Sequence, residues 1–133
     1  MLTPNWMVHL KTVSKFLLAA LMVGVGTMHF VQTDFFTRIM PPYLPWHREL
    51  VYISGICEAV LGLLLLVPRL SRFAAWGIIA LLIAVFPANI YLYQHQELLP
   101  ASPIVHFLRL PLQAVFIAWA YWHTKPSYSP GRD

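Results

Sequence analysis

"SGICEAVLGLLLLVP", residues 54–68, is an apolar run with one acidic residue in it, Glu58. A bilayer accepts such a run, but a carboxylate in it is costly unless it faces the interior of a helical bundle and is paired. Gly55, Glu58 and Gly62 recur at i, i+3 and i+7, which places them on one face of a helix. The flanking glycines predict that a neighbouring helix approaches closely and that Glu58 points into the bundle.

The composition of the chain is typical of a membrane protein. Of its 133 residues, 59% are hydrophobic and 11% are charged, whereas soluble domains carry about 25% charged residues. The net charge is +4, but the basic residues lie at the ends of apolar segments and form no nucleic-acid-binding patch. Cys57 is the single cysteine, which excludes a disulfide framework, a cysteine zinc site and thiol-pair chemistry within one chain.

Four apolar segments predict four membrane-spanning helices in a single transmembrane domain over residues 1–133. Each segment is about 18 to 21 residues long, which is enough to cross the hydrocarbon core as a helix. We therefore predict an all-α, polytopic four-helix bundle, in which Pro87 and Pro111 kink the third and fourth helices. The spans cover roughly residues 13–30, 50–67, 73–93 and 104–122, with an outer loop over 32–49. A signal peptide is disfavoured because "MHF", residues 28–30, is a poor cleavage site and three further spans follow.

The basic residues of the short loops predict that both termini are cytoplasmic. The inner side carries Lys11, Lys15, Arg69, Arg72, Lys125 and Arg132, and the outer side carries Arg38 and Arg48. In the outer loop, three prolines at positions 41, 42 and 45 exclude a regular helix around them. This loop is either a stiff lid at the headgroup level or an ordinary tether.

Polar residues from all four spans fall in the outer half of the predicted membrane. At 1.5 Å per residue, Glu58 lies about 12 Å deep and Arg109 about 8 Å deep. The layer consists of His29, Glu58, Asn89, His106, Arg109 and Gln113. We predict that Glu58 contacts Arg109, directly or through one water, with Asn89 or Gln113 completing the shell.

The two prolines within spans predict a cavity beside this layer, opening toward the outer leaflet under the Pro41–Pro45 loop. Glu58 and His29 are the candidate catalytic residues, for proton transfer. The candidate ligand-binding residues are Asn89, Arg109, Gln113, His106 and Tyr52. Alternatively, Asn89 and Gln113 only join helices, and the Glu58–Arg109 pair is structural. No metal site is predicted, because no HxxxH or HxxE spacing preorganises the ligands.

Four stretches carry a resemblance to a known family: "GTMHFVQTDFFTRIMPPYLP" (26–45), "LVYISGICEAVLGLLLLVPRLSRFAAWG" (50–77), "LLIAVFPANIYL" (81–92) and "LRLPLQAVFIAWAYW" (108–122). Over residues 16–123 the chain resembles the DoxX family of small bacterial membrane proteins. The resemblance implies a four-helix membrane bundle. Family members include the small subunit of a thiosulfate:quinone oxidoreductase, and others are linked to membrane oxidoreductase complexes. The family's motif positions fall on His29, Glu58, Pro87, Asn89, Arg109 and Gln113.

Three hypotheses of function follow. In the first, the chain is an accessory or binding subunit of a membrane oxidoreductase system and holds a quinone or a lipid in the polar pocket. The sequence has no thiol pair, flavin motif or metal cluster to act as a resident redox centre, so a redox role needs a bound quinone or a partner subunit. In the second, the chain is an intramembrane enzyme in which Glu58 and His29 transfer protons on a lipophilic substrate. A structural scaffold is the third hypothesis, and a homo-oligomer is compatible with each of them.

Overall fold

The computed structural model describes residues 4–125, and all regular secondary structure in this range is helical. The long helices are α1 (Asn5–Val31), α3 (His47–Leu65), α4 (Ser71–Gln94) and α5 (Pro103–Trp122). Between them lie the short helix α2 (Thr33–Arg38) and a single 3-10 turn (Gln96–Leu98). The predicted all-α class is confirmed. Arg132, used above for topology, lies outside the described residues.

Three of the long helices, α1, α4 and α5, are long and apolar enough to cross a membrane. The fourth, α3, is 19 residues long and contains Arg48, Glu49 and Glu58, which reduce its apolar character. Large apolar side chains are exposed on the outer surfaces of these three apolar helices, among them Phe16, Phe73 and Phe107. These surfaces are compatible with contact with lipid, and the three helices indicate association with a membrane.

The predicted outer loop over residues 32–49 contains more helix than we expected. The Thr33 hydroxyl donates to the carbonyls of His29 and Phe30, at 2.9 and 3.1 Å, and α2 follows directly after α1. The three prolines come after α2 has ended, and the residues from 39 to 46 are not helical. At its far end the predicted loop overlaps α3, which begins at His47.

The long helices pack around an apolar core in one half of the bundle. Helix α1 packs along α3, α3 along α4, and α4 along α5. The buried core comprises Leu18, Ala19, Met22, Leu65, Ala74, Ala75, Ile78, Ile79, Leu82 and Ala120. We call the half beside α2 the α2 end, and the half beside the turn between α3 and α4 the opposite end. The core occupies the opposite end up to the middle of the bundle.

Glycines bring α1 and α3 into backbone contact. A Cβ atom on Gly55 would lie 2.7 Å from the Cβ of His29, and one on Gly26 would lie 2.6 Å from the carbonyl oxygen of Gly55. Neither distance leaves room for a side chain. The close approach predicted from Gly55 and Gly62 is therefore confirmed, with α1 as the partner helix. Glu58 lies one turn after Gly55 and is 5% exposed, so it points into the bundle as predicted.

Candidate functional site

A cavity of about 470 Å³ lies between the four long helices at the α2 end. Its wall is mainly apolar, and each long helix also contributes polar side chains to it. The predicted site residues that line it are His29, Glu58, Asn89, Arg109 and Gln113. Pro87 lines the cavity as well, whereas Pro111 is exposed on the surface of α5 and does not. The structure thus brings five of the seven predicted site residues to one cavity.

The segment from α2 to the first residues of α3 forms the wall of the cavity at the α2 end. Phe36, Met40, Pro41 and Leu44 line it there. The Phe36 ring stacks on the His29 imidazole, with ring centroids 3.9 Å apart. The cavity therefore lies against the loop around Pro41, as the sequence predicted.

His29 and Glu58 face each other at the contact between α1 and α3. The His29 Nδ1 atom lies 3.5 Å from the Glu58 Oε2 atom, but its N–H donates to the Val25 carbonyl at 2.8 Å. Within residues 4–125, the enclosed Oε2 atom has no hydrogen-bond partner. With its proton on Nδ1, a neutral His29 keeps a free lone pair on Nε2. The site therefore contains a carboxyl group and an imidazole side by side, each with unused hydrogen-bonding capacity.

The predicted direct contact between Glu58 and Arg109 is wrong. Among the described residues, no carboxylate oxygen lies within 4.0 Å of the Arg109 guanidinium. The reason is the glycine contact, which packs α3 along α1 and so directs Glu58 toward His29. Arg109 lines the same cavity from α5. Its charge is therefore directed at the cavity and is not neutralised by direct contact with Glu58.

Asn89 and Gln113 join α4 to α5. The Asn89 Nδ2 atom donates to Gln113 Oε1 at 2.5 Å, and Gln113 Nε2 donates to the Leu82 carbonyl at 2.6 Å. The neighbouring carbonyl, that of Ile83, lacks its usual helical hydrogen bond because Pro87 has no backbone N–H to donate. For Gln113 the structure agrees with the alternative of an interhelical hydrogen bond, because both ends of its amide are occupied. Asn89 keeps a second amide N–H, since only one is used by Gln113.

The other two predicted site residues lie away from the cavity. The Tyr52 ring stacks on Phe30, with ring centroids 5.2 Å apart, and its hydroxyl accepts from Arg48 Nε at 3.3 Å. His106 is 1% exposed, and its Nε2–H donates to the Leu99 carbonyl at 3.0 Å. His106 shares a helix face with Arg109 and Gln113, but it lies one turn nearer the chain connection and packs against that connection.

A family model described as a domain of unknown function (DUF8561) matches residues 18–124. The chain belongs to the DUF8561 family. No curated protein and no solved structure matches it. The residues of this DUF8561 chain that the family model matches include every polar residue of the cavity and extend to the end of α5. In residues 4–125, no group of three His, Cys, Asp or Glu side chains is placed to hold a metal ion.

The DUF8561 chain also has a buried polar cluster at the opposite end, outside the polar layer that the sequence predicted. Trp119 Nε1–H donates to the Ser14 hydroxyl at 2.7 Å, and this hydroxyl lies 3.0 Å from Nε2 of His123. His123 is 2% exposed. His123 is not among the site residues predicted from the sequence. The signal that could have found the cluster is the spacing of Trp119 and His123, which are one helical turn apart.

Two cations of the DUF8561 chain hold the residues that follow α5. Lys11 Nζ donates to the Lys125 carbonyl at 2.9 Å, and Arg72 Nε donates to the Thr124 carbonyl at 2.8 Å. A lysine or arginine at the C-terminal end of a helix also interacts favourably with its unpaired carbonyls. These contacts join α1, α4 and α5 at the opposite end of the bundle.

The His123 site predicts a pH dependence of stability. Burial, with smaller effects from the charges of Lys11 and Lys15, lowers the pKa of His123 from 6.5 to about 4. Between these values the unfolded chain binds a proton that the folded chain does not, so this contribution to stability is lost as the pH falls from about 6.5 toward 4.

We expect the melting temperature in detergent to fall more between pH 7 and pH 5 for the wild type than for His123→Gln. The control His9→Gln, which changes an exposed histidine of α1, should behave like the wild type. Equal pH dependence in His123→Gln and the wild type would contradict the assignment.

Proposed function

We propose that this DUF8561 chain is an integral membrane protein with four spanning helices that binds a quinone or a lipid in the cavity at the α2 end. The observation that supports it is a cavity of about 470 Å³ with an apolar wall and a few convergent polar groups. Ligand sites are typically about 300 to 1,000 Å³ and have this composition. We count α3 as the fourth span because Arg48 and Glu49 lie in its first turn, where they can reach the membrane surface.

The polar groups of the cavity suit an oxygen acceptor on the ligand. Arg109 offers guanidinium N–H donors with no described carboxylate within 4.0 Å, and Asn89 offers its second amide N–H. A carbonyl oxygen or an anionic oxygen satisfies both donors. A quinone carbonyl and a lipid ester or acid each supply such an oxygen, and the apolar wall accommodates the rest of either molecule.

The resemblance to the DoxX family favours an accessory role in a membrane oxidoreductase system. Under this proposal the chain supplies the binding site, and a partner subunit supplies the redox centre. We also propose that the chain lies in a bacterial inner membrane with both termini in the cytoplasm. Lys11, Lys15, Arg72 and Lys125 support this orientation, because basic residues favour the cytoplasmic side and all four lie toward the opposite end.

A second candidate function is proton transfer on the bound molecule. The observation that favours it is the 3.5 Å separation of His29 Nδ1 and Glu58 Oε2 in the wall of an apolar cavity. One of the two groups could remove a proton from a carbon of the ligand, and the other could return a proton to a different carbon. Such an isomerisation needs no net co-reactant: the electron pair of the shifted double bond remains in the substrate, and passage of one proton from the group that accepted it to the group that gave one, directly or through water, restores both groups.

Native mass spectrometry after extraction in a mild detergent tests the binding function. We expect the wild type to carry one bound small molecule, and Arg109→Gln to lose most of it. The control Arg38→Gln, which changes an exposed arginine of α2 outside the cavity, should retain it. Equal retention by Arg109→Gln and the wild type would contradict the proposal.

Incubation in heavy water tests the second candidate, because proton transfer places deuterium in the bound molecule and Glu58→Gln should abolish that exchange.

A further inference from the structure

Building on the proposed function, we infer that the cavity opens sideways between α1 and α5 and takes an amphiphile with a long hydrocarbon chain. The headgroup lies beside Arg109 and Asn89, and the chain leaves between the two helices into the bilayer. A compact water-soluble molecule would not need such an opening.

One face of α1 is packed against other helices at the opposite end and is exposed beside the cavity. Ser14, Leu18, Leu21 and Val25 are spaced i, i+4, i+7 and i+11, which places them on one stripe of the helix. Ser14 contacts Trp119 and His123 at the opposite end, and Leu18 is 1% exposed in the core. Leu21 and Val25 line the cavity, yet they are 45% and 44% exposed. The stripe is therefore covered at the opposite end and open beside the cavity.

The facing stripe of α5 shows the same change. Trp119 contacts Ser14 at the opposite end, and Phe116 and Arg109 line the cavity. On the same side, Leu112 and Val105 are 47% and 44% exposed. The contacts between α1 and α5 are thus made at the opposite end, and apolar side chains line both edges of the gap beside the cavity. Apart from Arg109, which would hold the headgroup, the side chains of these edges are apolar, and this suits a hydrocarbon chain.

The other helix pairs offer less room for a chain. The glycine contact closes the seam between α1 and α3, and the Asn89–Gln113 bond bridges α4 and α5. Between α3 and α4, Ile53 lines the cavity and is 56% exposed. However, α3 packs along α4, so we assign the opening to the α1–α5 seam and treat the α3–α4 seam as the competing route.

The headgroup must bring an oxygen acceptor, and two membrane components share that chemistry on a long chain. One is an isoprenoid quinone, which presents a ring carbonyl, and the other is an acyl lipid or fatty acid, which presents an ester or acid oxygen. Both satisfy the donors of Arg109 and Asn89. Matched probes with and without the chain distinguish these sources.

The test measures probe binding by native mass spectrometry of the delipidated protein in dodecyl maltoside micelles, which supply no acyl lipid. The quinone pair is decylubiquinone and dimethoxymethylbenzoquinone, and the acid pair is oleate and acetate. The affinity for each probe is expressed as its mole fraction in the micelle at half-saturation. Leu21→Trp fills the proposed opening. The matched control Leu17→Trp changes a leucine one turn away on α1, which is 57% exposed and does not line the cavity. Ile53→Trp fills the competing route.

We expect the chain-bearing member of one pair to bind at least about tenfold more tightly than its chain-free partner. Leu21→Trp should weaken the chain-bearing probe about tenfold and leave the chain-free probe within about twofold. Leu17→Trp should change neither, and Ile53→Trp should not weaken the chain-bearing probe more than the chain-free probe. Equal binding of chain-bearing and chain-free probes, or loss on Ile53→Trp with none on Leu21→Trp, overturns the inference but leaves the binding function standing. If no probe binds the wild type in a manner that depends on Arg109, the binding function fails and the inference fails with it.

Discussion

Gly26→Ala is expected to lower the free energy of unfolding by about 3 kcal/mol, while Gly24→Ala should leave it unchanged or raise it by up to about 1 kcal/mol. Both glycines belong to α1 and are two residues apart. A Cβ atom on Gly26 would lie 2.6 Å from the Gly55 carbonyl oxygen and 2.9 Å from the Ala59 amide nitrogen. These are backbone atoms, which cannot move aside without shifting α3. A Cβ atom on Gly24 meets nothing within 4 Å.

Denaturation in mixed micelles, followed by circular dichroism, measures the difference between the two variants. The pair is matched in residue type, helix and chemical change, so a general effect of alanine on α1 cancels. Because Gly55 also positions Glu58 against His29, we expect Gly26→Ala to reduce binding at the cavity as well. Equal stability of the two variants would contradict the close contact between α1 and α3.

Double-mutant cycles should show stronger coupling between His29 and Glu58 than between Glu58 and Arg109. The first pair lies 3.5 Å apart, and groups in contact typically show coupling free energies of about 0.5 to 3 kcal/mol. We expect about 1 kcal/mol or more for His29→Phe with Glu58→Gln, where phenylalanine keeps an aromatic ring against Phe36. Arg109 makes no direct contact with Glu58, so the coupling free energy of Glu58→Gln with Arg109→Gln should be smaller than that of the first pair.

The same unfolding measurement serves both cycles. If removing Arg109 rescued Glu58→Gln, the two groups would form the ion pair that the sequence suggested, and the helix arrangement described above would be wrong. Binding gives a second readout, because we expect Arg109→Gln to lose the ligand without a matching loss of stability. A purely structural arginine would lower stability and binding together.

The predicted membrane depth of each polar residue gave the composition of the cavity better than the contacts within it. A rise of 1.5 Å per residue is enough to bring Glu58, Asn89 and Arg109 to one level. It does not say which helices are neighbours. The partner of Glu58 depends on the contact of Gly26 with Gly55, and the sequence indicated the second glycine without indicating the helix that meets it.

Two further differences come from contacts that a helical pattern does not show. His106 shares a stripe with Arg109 and Gln113, but it packs against the chain connection before α5, where the Leu99 carbonyl accepts its N–H. The path of a connection is not visible in a periodic pattern. Ser14 and His123 were missed because they are far apart in the chain and each lies near the end of an apolar segment. Their contact exists only once α1 and α5 meet.

A crystal structure of the wild type grown from a lipidic mesophase, with the protein purified in mild detergent, measures occupancy of the cavity directly. We predict continuous electron density for an elongated molecule, with an oxygen in hydrogen-bonding distance of the Arg109 guanidinium and a chain passing Leu21 and Val25. A cavity filled only by water, or by side chains that have collapsed into it, would contradict the proposed binding function.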